Sequence, residues 1–544
     1  MATQPTTTEK TPEEVTSTQA ASSMHIEIED VTPTSPNRLH RRLLGRHMQM
    51  LAIGGSIGAG FFVGSGGALF LGGPASLLLG FSITGLLVLC TILALGELTV
   101  MYPVNGAFYI YMIRFIDPAW GFTIGWQYAI GWLITLPFEI ISAGLTINYW
   151  HEYNIGIWVA VFLTVIAIVQ FFGVRVEFVL GVIKLIAVAG FIIFGIIVDC
   201  GGVPTDDRGY IGFRYWSGKD GNSAFRNGFA GFASVFVLAA FAYGGSELVG
   251  LAAAEAEDPR KSLPKATKQV FWRIAGVYVL SSLIIGITVP NNSPDLLGAT
   301  GANTKASPFV LAIQYAGVQG LPSVFNAVIT ISTFSVANSC TYGATRTLQA
   351  LAQHGMAPRI LAYVDGKGRP VGPVIIQLLI GLLAFVSLSA ESGTVFTWLF
   401  SISGLGLLFL WASICLCHIR FRQAWKAANR SINDLPFKSP MGVYGSYFAV
   451  ILAVIILIIT FYVALCPYGG PPNPTNFFQN YLSAPIILTI FALRKLWTRD
   501  WTLGVKLKDI DLDADRRGDG GLYRQREEEK EKRSFGRRMI NAIF

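Results

Sequence analysis

Four ionisable residues stand inside long apolar stretches of this sequence: Glu97, Glu139, Lys184 and Glu247. A charge at the centre of a membrane helix costs at least about 2.5–3.5 kcal/mol unless it is paired or wetted, so such residues mark ion paths and ligand sites. Lys184 lies in GVIKLIAVAGFIIF with no other charge for several residues on either side. An amine so placed can take up and release a proton, or stand in a static ion pair with one of the glutamates; the residues alone leave both readings open. Glu247 closes YGGSE (243 to 247) and is a candidate partner for a substrate ammonium or a proton. Glu139, in LPFEII, is expected to bound a pocket or brace it, and Glu97 to be structural. His47 and His418 flank helix ends beside arginines, where an imidazole facing water or headgroups is expected.

Glycine supplies the second kind of chemistry. GGSIGAGFFVGSGG (54 to 67) is dense enough in glycine to let a helix unwind and turn its backbone toward a ligand, and YGGSE repeats the feature. Each would open one half of a five-plus-five repeat, the pattern that points to a midplane site in secondary transporters. Close packing of small residues is the alternative for a single glycine pair. A broken helix frees amides at the start of one half and carbonyls at the end of the other. The amides at Ser56, Ile57, Gly58, Ala59 and Gly60 are therefore candidates to hold a carboxylate. The carbonyls around Phe241, Ala242, Tyr243 and Gly244 are candidates to accept from an ammonium, so that the two poles together suit a free α-amino acid.

Those residues need membrane helices to carry them. Of 544 residues, 52% are hydrophobic and only 14% charged, too little polar surface for a soluble globule. Runs long enough to cross a bilayer occur twelve times, at 49–70, 77–101, 120–149, 156–173, 178–199, 228–253, 269–290, 321–344, 373–390, 394–419, 445–466 and 479–496. An all-α membrane protein with twelve transmembrane helices is expected over 49–497. The polar stretch 1–48 is expected to be a disordered tail and 498–544 a charged one. Lys and Arg gather in alternate loops, which puts both tails in the cytosol and accounts for the net charge of +8 without a nucleic-acid partner.

Six cysteines, nearly all in apolar runs, read as small buried hydrophobes; a Cys200–Cys466 disulfide is conceivable at the outer face. No metal-ligand spacing, Walker loop or catalytic triad is present on a suitable element, so no enzyme, cofactor or metal is expected. GGSIGAGF only mimics a dinucleotide loop, because no strand precedes it.

HMQMLAIGGSIGAGFFVGSG (47 to 66), GELTVMYPVNGAFYIYMIRFIDPAWGFTIGW (96 to 126), AAAEAEDPRKSLPKATKQVFWRI (252 to 274) and HIRFRQAW (418 to 425) resemble the hallmark blocks of yeast-type amino acid permeases of the amino acid-polyamine-organocation superfamily. With NSCTYGATRTLQALA (338 to 352) and LPFKSPMGVYGSY (435 to 447), the likeness runs from about residue 40 to 512, and LPFEIISAGLTINYW (136 to 150) and FTWLFSISGLG (396 to 406) lean toward the general amino acid permease branch. It implies a leucine-transporter-type inverted repeat with helices 1 and 6 broken, alternating access, and proton-coupled amino acid uptake at the fungal plasma membrane. It also implies a coupling role for Lys184, which matches the fifth-helix lysine that stands in some relatives where others bind a cation. Glu247 matches the family's sixth-helix glutamate. Ser403, with Tyr243 and Glu139, would select the side chain. Lys10 would accept ubiquitin from ligase machinery. The expected activity is import of a broad range favouring neutral amino acids, against the alternatives of a narrower range or a sensor that binds but moves little.

Overall fold

The computed structural model of the protein describes residues 45–514 apart from 152, 173–176, 219–220, 257–258, 299–306, 367, 389–391 and 467–469. Lys10 and most of both expected tails lie outside the described residues.

The first span begins as α1 (Gly45–Ser56), unwinds at 57–58, and resumes as α2 (Ala59–Phe62), which runs on into α3 (Gly64–Met101). That long run is divided at Gly73, whose φ of 82° leaves the helical region; a Cβ there would lie 2.6 Å from the carbonyl oxygens of Ser223 and Ala224. Pro74 follows, with no N–H to continue the ladder. The chain therefore turns at the boundary expected between the first two spans. A short α4 (Ala107–Phe115) leads to α5 (Pro118–Ile147). Asp117 caps α5, accepting from the amides of Ala119 (2.8 Å) and Trp120 (3.2 Å), with Pro118 at the first helical position. α6 (Ile155–Phe172) and α7 (Glu177–Asp199) complete the first half.

The second half opens like the first. α8 (Gly228–Tyr243) stops, residues 244–247 leave the helix, and α9 (Leu248–Leu251) restarts it. It is the sixth span, five after the first, as a five-plus-five repeat requires. α10 (Pro259–Arg273) passes through a π-helical stretch, Ile274–Val279, into α11 (Leu280–Thr288). A short α12 (Pro308–Tyr315) precedes α13 (Leu321–Gln353), α14 (Val371–Gly381), α15 (Ser392–Ala427) and α16 (Gly442–Leu465). The last span is bent by 73° between α17 (Pro474–Tyr481) and α18 (Ser483–Thr498).

Among the described residues, nine helices are long and apolar enough to cross a membrane, or ten with the bent last pair. The shortfall from twelve has two visible causes. The run Ala59–Met101 is one unit by hydrogen bonding although Gly73 breaks it, and the seventh apolar run is interrupted by the π-helical stretch, leaving Gly276–Thr288 as a short apolar helix. Large side chains such as Ile186 (67% exposed) on α7 and Ile458 (63%) on α16 project outward, an apolar exterior suited to lipid.

Glu97 has the structural placement expected of it. It is buried at the end of α3, with Arg422 Nε at 2.6 Å from Oε1, Arg422 Nη2 at 2.8 Å and the Ser439 amide at 2.7 Å from Oε2. His418 corrects the expectation of a solvated ring. It is fully buried, with Nε2 3.1 Å from Glu97 and Nδ1 2.7 Å from the Ser446 hydroxyl. A carboxylate buried at that point needs polar partners, and Arg422, the Ser439 amide and the His418 ring stand around it. All six cysteines are free thiols.

Past α18 the chain does not leave the bundle at once. Residues 504–514 lie across its end: the Val505 amide donates to Ile116 O (2.8 Å), Arg420 donates to Val505 O, and Tyr102 Oη donates to Leu512 O (2.8 Å). Lys495 joins the same region, its Nζ 2.8 Å from Asp117 Oδ2, so the carboxylate that caps α5 also anchors α18.

Candidate functional site

The two breaks face each other. α1 packs on α9 and α2 on α8, and Gly245, at φ 91°, brings its Cα against Gly55: an added Cβ would lie 2.6 Å from Gly55 O. Only glycine combines that dihedral with so close a backbone approach. Tyr278, from the π-helical stretch, ties the breaks together. Its hydroxyl stands 3.0 Å from Ser56 O and 3.0 Å from Ala242 O, the ends of the two interrupted half-helices.

Between the breaks lies a cavity of about 550 Å³, its open mouth included, bordered by α5, α13 and α15. Ser56, Gly58, Gly60, Phe241, Ala242, Gly244, Ser403 and Glu139 line it. At the start of α2 the Ala59 amide donates to Glu139 Oε2 at 3.3 Å, and Gly58 is held so close that a Cβ would be 2.5 Å from Val336 Cγ2 and 3.0 Å from Glu139 Oε1. Phe61 and Phe62 both donate back to Gly58 O, which starts the new half-helix; Gly58 and Gly60 border the cavity, and Ala59 does not. Ser403 meets Thr135 across the cavity, hydroxyl to hydroxyl at 3.1 Å.

The remaining expected residues sit elsewhere. Ile57 is fully buried and does not border the cavity. Tyr243 points the other way, its hydroxyl donating to Phe81 O (2.9 Å) and its ring 4.3 Å from that of Tyr278. Glu247 lies one layer back. Its Oε1 accepts from Tyr128 Oη (3.1 Å) and the Gly245 amide (3.2 Å), and its Oε2 from Trp411 Nε1 (3.4 Å); Tyr128 is the residue that reaches the cavity. Lys184, with no solvent exposure, donates to Gly54 O at 2.7 Å, behind the first break.

Several contributors were missed. Gln127, Gly131 and Thr135 precede Glu139 at steps of four on α5, and all line the cavity. That stripe of polar and small residues on one helical face was readable in the sequence. Arg273, buried at the end of α10, donates to Ser246 Oγ (2.6 Å) and interacts electrostatically with Glu247. Its signal was a cation four residues into an apolar run. Glu177 opens α7 beside Gly54 and had no signal, standing next to Arg175 in what reads as a loop.

Chemically, the arrangement offers backbone donors and one carboxylate at the first break, and backbone acceptors at the second. The wall between them is mostly apolar, with Trp132, Leu407 and Leu410 among its side chains. Among the described residues no group of three or more His, Cys, Asp or Glu is arranged to hold a metal.

Known proteins resemble this chain in fold and in sequence. In solved structures, a mutant of the manganese transporter of Eremococcus coleocola superposes with a TM-score of 0.55 over 84% of this chain and 93% of its own, at 14% identity, which speaks for the fold alone. In sequence, Amino-acid permease GAP3 of Candida albicans is 49% identical over 520 residues, 94% of this chain and 86% of that protein. General amino-acid permease GAP1 of Saccharomyces cerevisiae is 48% identical over 493 residues, covering 89% and 81%. Cationic amino acid transporter 1 of Schizosaccharomyces pombe is 49% identical over 481 residues, covering 87% and 81%. The profile of the family described as "Amino acid permease" matches residues 47–507, from the first half-helix to the segment laid across the bundle end, with both breaks inside it. A multi-pass membrane chain with that fold and that continuous match belongs to the amino acid permease family.

Proposed function

We propose that this chain imports amino acids with protons by alternating access, accepts a broad range with a preference for neutral side chains, and works in the plasma membrane with both tails in the cytosol. The observation that carries this reading is the pair of facing helix breaks with a cavity between them. The amides of Gly58 and Gly60 suit a carboxylate, with that of Ala59 joining them if it gives up Glu139, and the carbonyls of Phe241 and Ala242 suit an ammonium. Ser403 and Thr135 stand where a substrate side chain would end. The apolar wall favours neutral substrates. Glu139, the one acidic residue in that lining, favours a second reading in which cationic amino acids are taken as well, in keeping with the name of the Schizosaccharomyces pombe relative.

Lys184 and Glu247 are the proposed proton carriers. Both are buried, and both lie beside a break whose movement would change their access to water. No nucleotide-binding loop occurs in the sequence, which leaves an ion gradient as the driving force.

The test is uptake of radiolabelled amino acids in cells lacking their own permeases, with a competition panel of all the standard amino acids and a protonophore arm. Saturable accumulation abolished by the protonophore is expected. Saturable binding without accumulation would replace the importer with a sensor, and accumulation indifferent to the protonophore would remove the proton.

A further inference from the structure

We propose that Glu177 is the proton acceptor on the cytosolic side of Lys184, so that the proton leaves the transporter along the flank of Gly54 through this carboxylate. The proposal rests on the proton coupling put forward above and names the exit that the coupling lacks.

Glu177 is the first residue of α7 and Lys184 comes seven later, two turns along the same face and about 10 Å along the axis. Both side chains converge on one residue of α1. Lys184 Nζ donates to the carbonyl of Gly54 at 2.7 Å, while a Cβ at Gly54 would lie 1.6 Å from Glu177 Oε1. Gly54 thus leaves the carboxylate room to press against its Cα. Bond geometry along that route keeps Nζ and Oε1 within about 8 Å of each other.

The carboxylate is held by α13. The hydroxyls of Ser335 (2.9 Å) and Ser339 (2.7 Å) donate to Oε1, and Asn338 Nδ2 (2.8 Å) donates to Oε2; Gln170 fixes Asn338 in turn at 2.9 Å. Three donors suit an ionised carboxylate, and a serine hydroxyl can rotate from donor to acceptor when that carboxylate gains a proton. Lys184 is sealed from solvent, whereas Glu177 is partly exposed at the end of α7 that the charge pattern assigns to the cytosol. Among the described residues, the other titratable groups that act on the pair are Glu139 on α5, which acts on Lys184, and Cys340 on α13, whose thiol donates to Ala337 O at 3.0 Å. The described side chains of α1 and α11 add no charge.

The step balances simply. Once the two side chains meet, the Lys184 ammonium gives a proton to the Glu177 carboxylate, leaving a neutral amine and a carboxylic acid, and the acid then loses the proton to cytosolic water. Because α1 ends two residues after Gly54, a swing of that half-helix would break the Lys184 bond to Gly54 O and open the flank between the two groups.

Exchange of labelled for unlabelled amino acid across a vesicle requires no net proton release, whereas uphill accumulation does. The full chain in proteoliposomes is therefore measured in both modes. Glu177→Gln is expected to lose accumulation under an inward proton gradient by about tenfold or more while exchange continues, and Glu177→Asp to recover part of the loss. Glu177→Gln that accumulates as the parent does, with unchanged pH dependence, overturns the proposal. So does loss of exchange together with accumulation in protein of parental thermal stability, which would make Glu177 a clamp between α7 and α13. A parent that never accumulates substrate under the gradient overturns the coupling itself, and this exit with it.

Discussion

At the scale of single residues, the site is set by atoms that leave no room. A Cβ at Gly58 would collide with Val336 and crowd Glu139, so Gly58→Val is expected to abolish uptake at normal surface abundance. Gly190→Ala on α7, where nothing lies within 4 Å, should leave uptake unchanged in the same assay. Tyr278 offers a subtler change. Its one hydroxyl proton serves the carbonyls of Ser56 and Ala242, so Tyr278→Phe leaves buried acceptors short of a donor, a loss of about 1–3 kcal/mol. A lower melting temperature and a raised KM for uptake are expected, measured by thermal melts with and without amino acid. Much of this layer was legible beforehand. Glycine density at 54–67 and 243–247 pointed to both breaks, because backbone freedom is written in residue type. The side chains behind the cavity were less legible: Arg273 showed only as a cation inside an apolar run, and nothing marked Glu177 or Tyr278, whose place beside the breaks only the fold decides.

At the scale of elements, α5, α6 and α16 agreed with the apolar runs to within a few residues, whereas α13 and α15 continue well past the apolar ends at 344 and 419 into polar sequence. Agreement failed where hydrogen bonding crosses a kink, at Gly73, or changes pitch, at Ile274–Val279, because hydropathy reports burial and not the backbone ladder. The loop between α7 and α8 shows how a polar connection becomes structural. Arg208 is held by Asp206 (2.8 Å) and donates to Thr288 O (2.8 Å) at the end of α11. The guanidinium holds the Asp206 carboxyl below its usual 3.8, mainly through their hydrogen bonds. A depressed folded-state value means stability that is present above about pH 4 and lost as pH falls through the depressed value. Asp206→Asn is therefore expected to lower the melting temperature at neutral pH and to matter progressively less in strong acid, checked by melts across that range.

At the scale of the whole molecule, the segment 504–514 joins parts of the bundle far apart in sequence. It reaches Tyr102 and Ile116 in the first half and Arg420 in the second, and its Ile510 and Leu512 are buried. A chain ending after residue 514 is expected to melt with the full-length protein, whereas one ending after residue 503 should melt several degrees lower, both measured in the same detergent. Nothing in the composition of 498–544 separated this stretch from the charged residues that follow. The difference lies in partners on α4 and α15, which only a folded bundle supplies. This placement also bears on biosynthesis. The segment follows α18 in the chain, so the groove it fills cannot close until α18 and then residues 504–514 have emerged, and until then it lacks the carbonyls of Val505 and Leu512. Docking of residues 504–514 is therefore a late step in assembly, one that waits until Tyr102 and Ile116 from the first half and Arg420 from the second stand side by side.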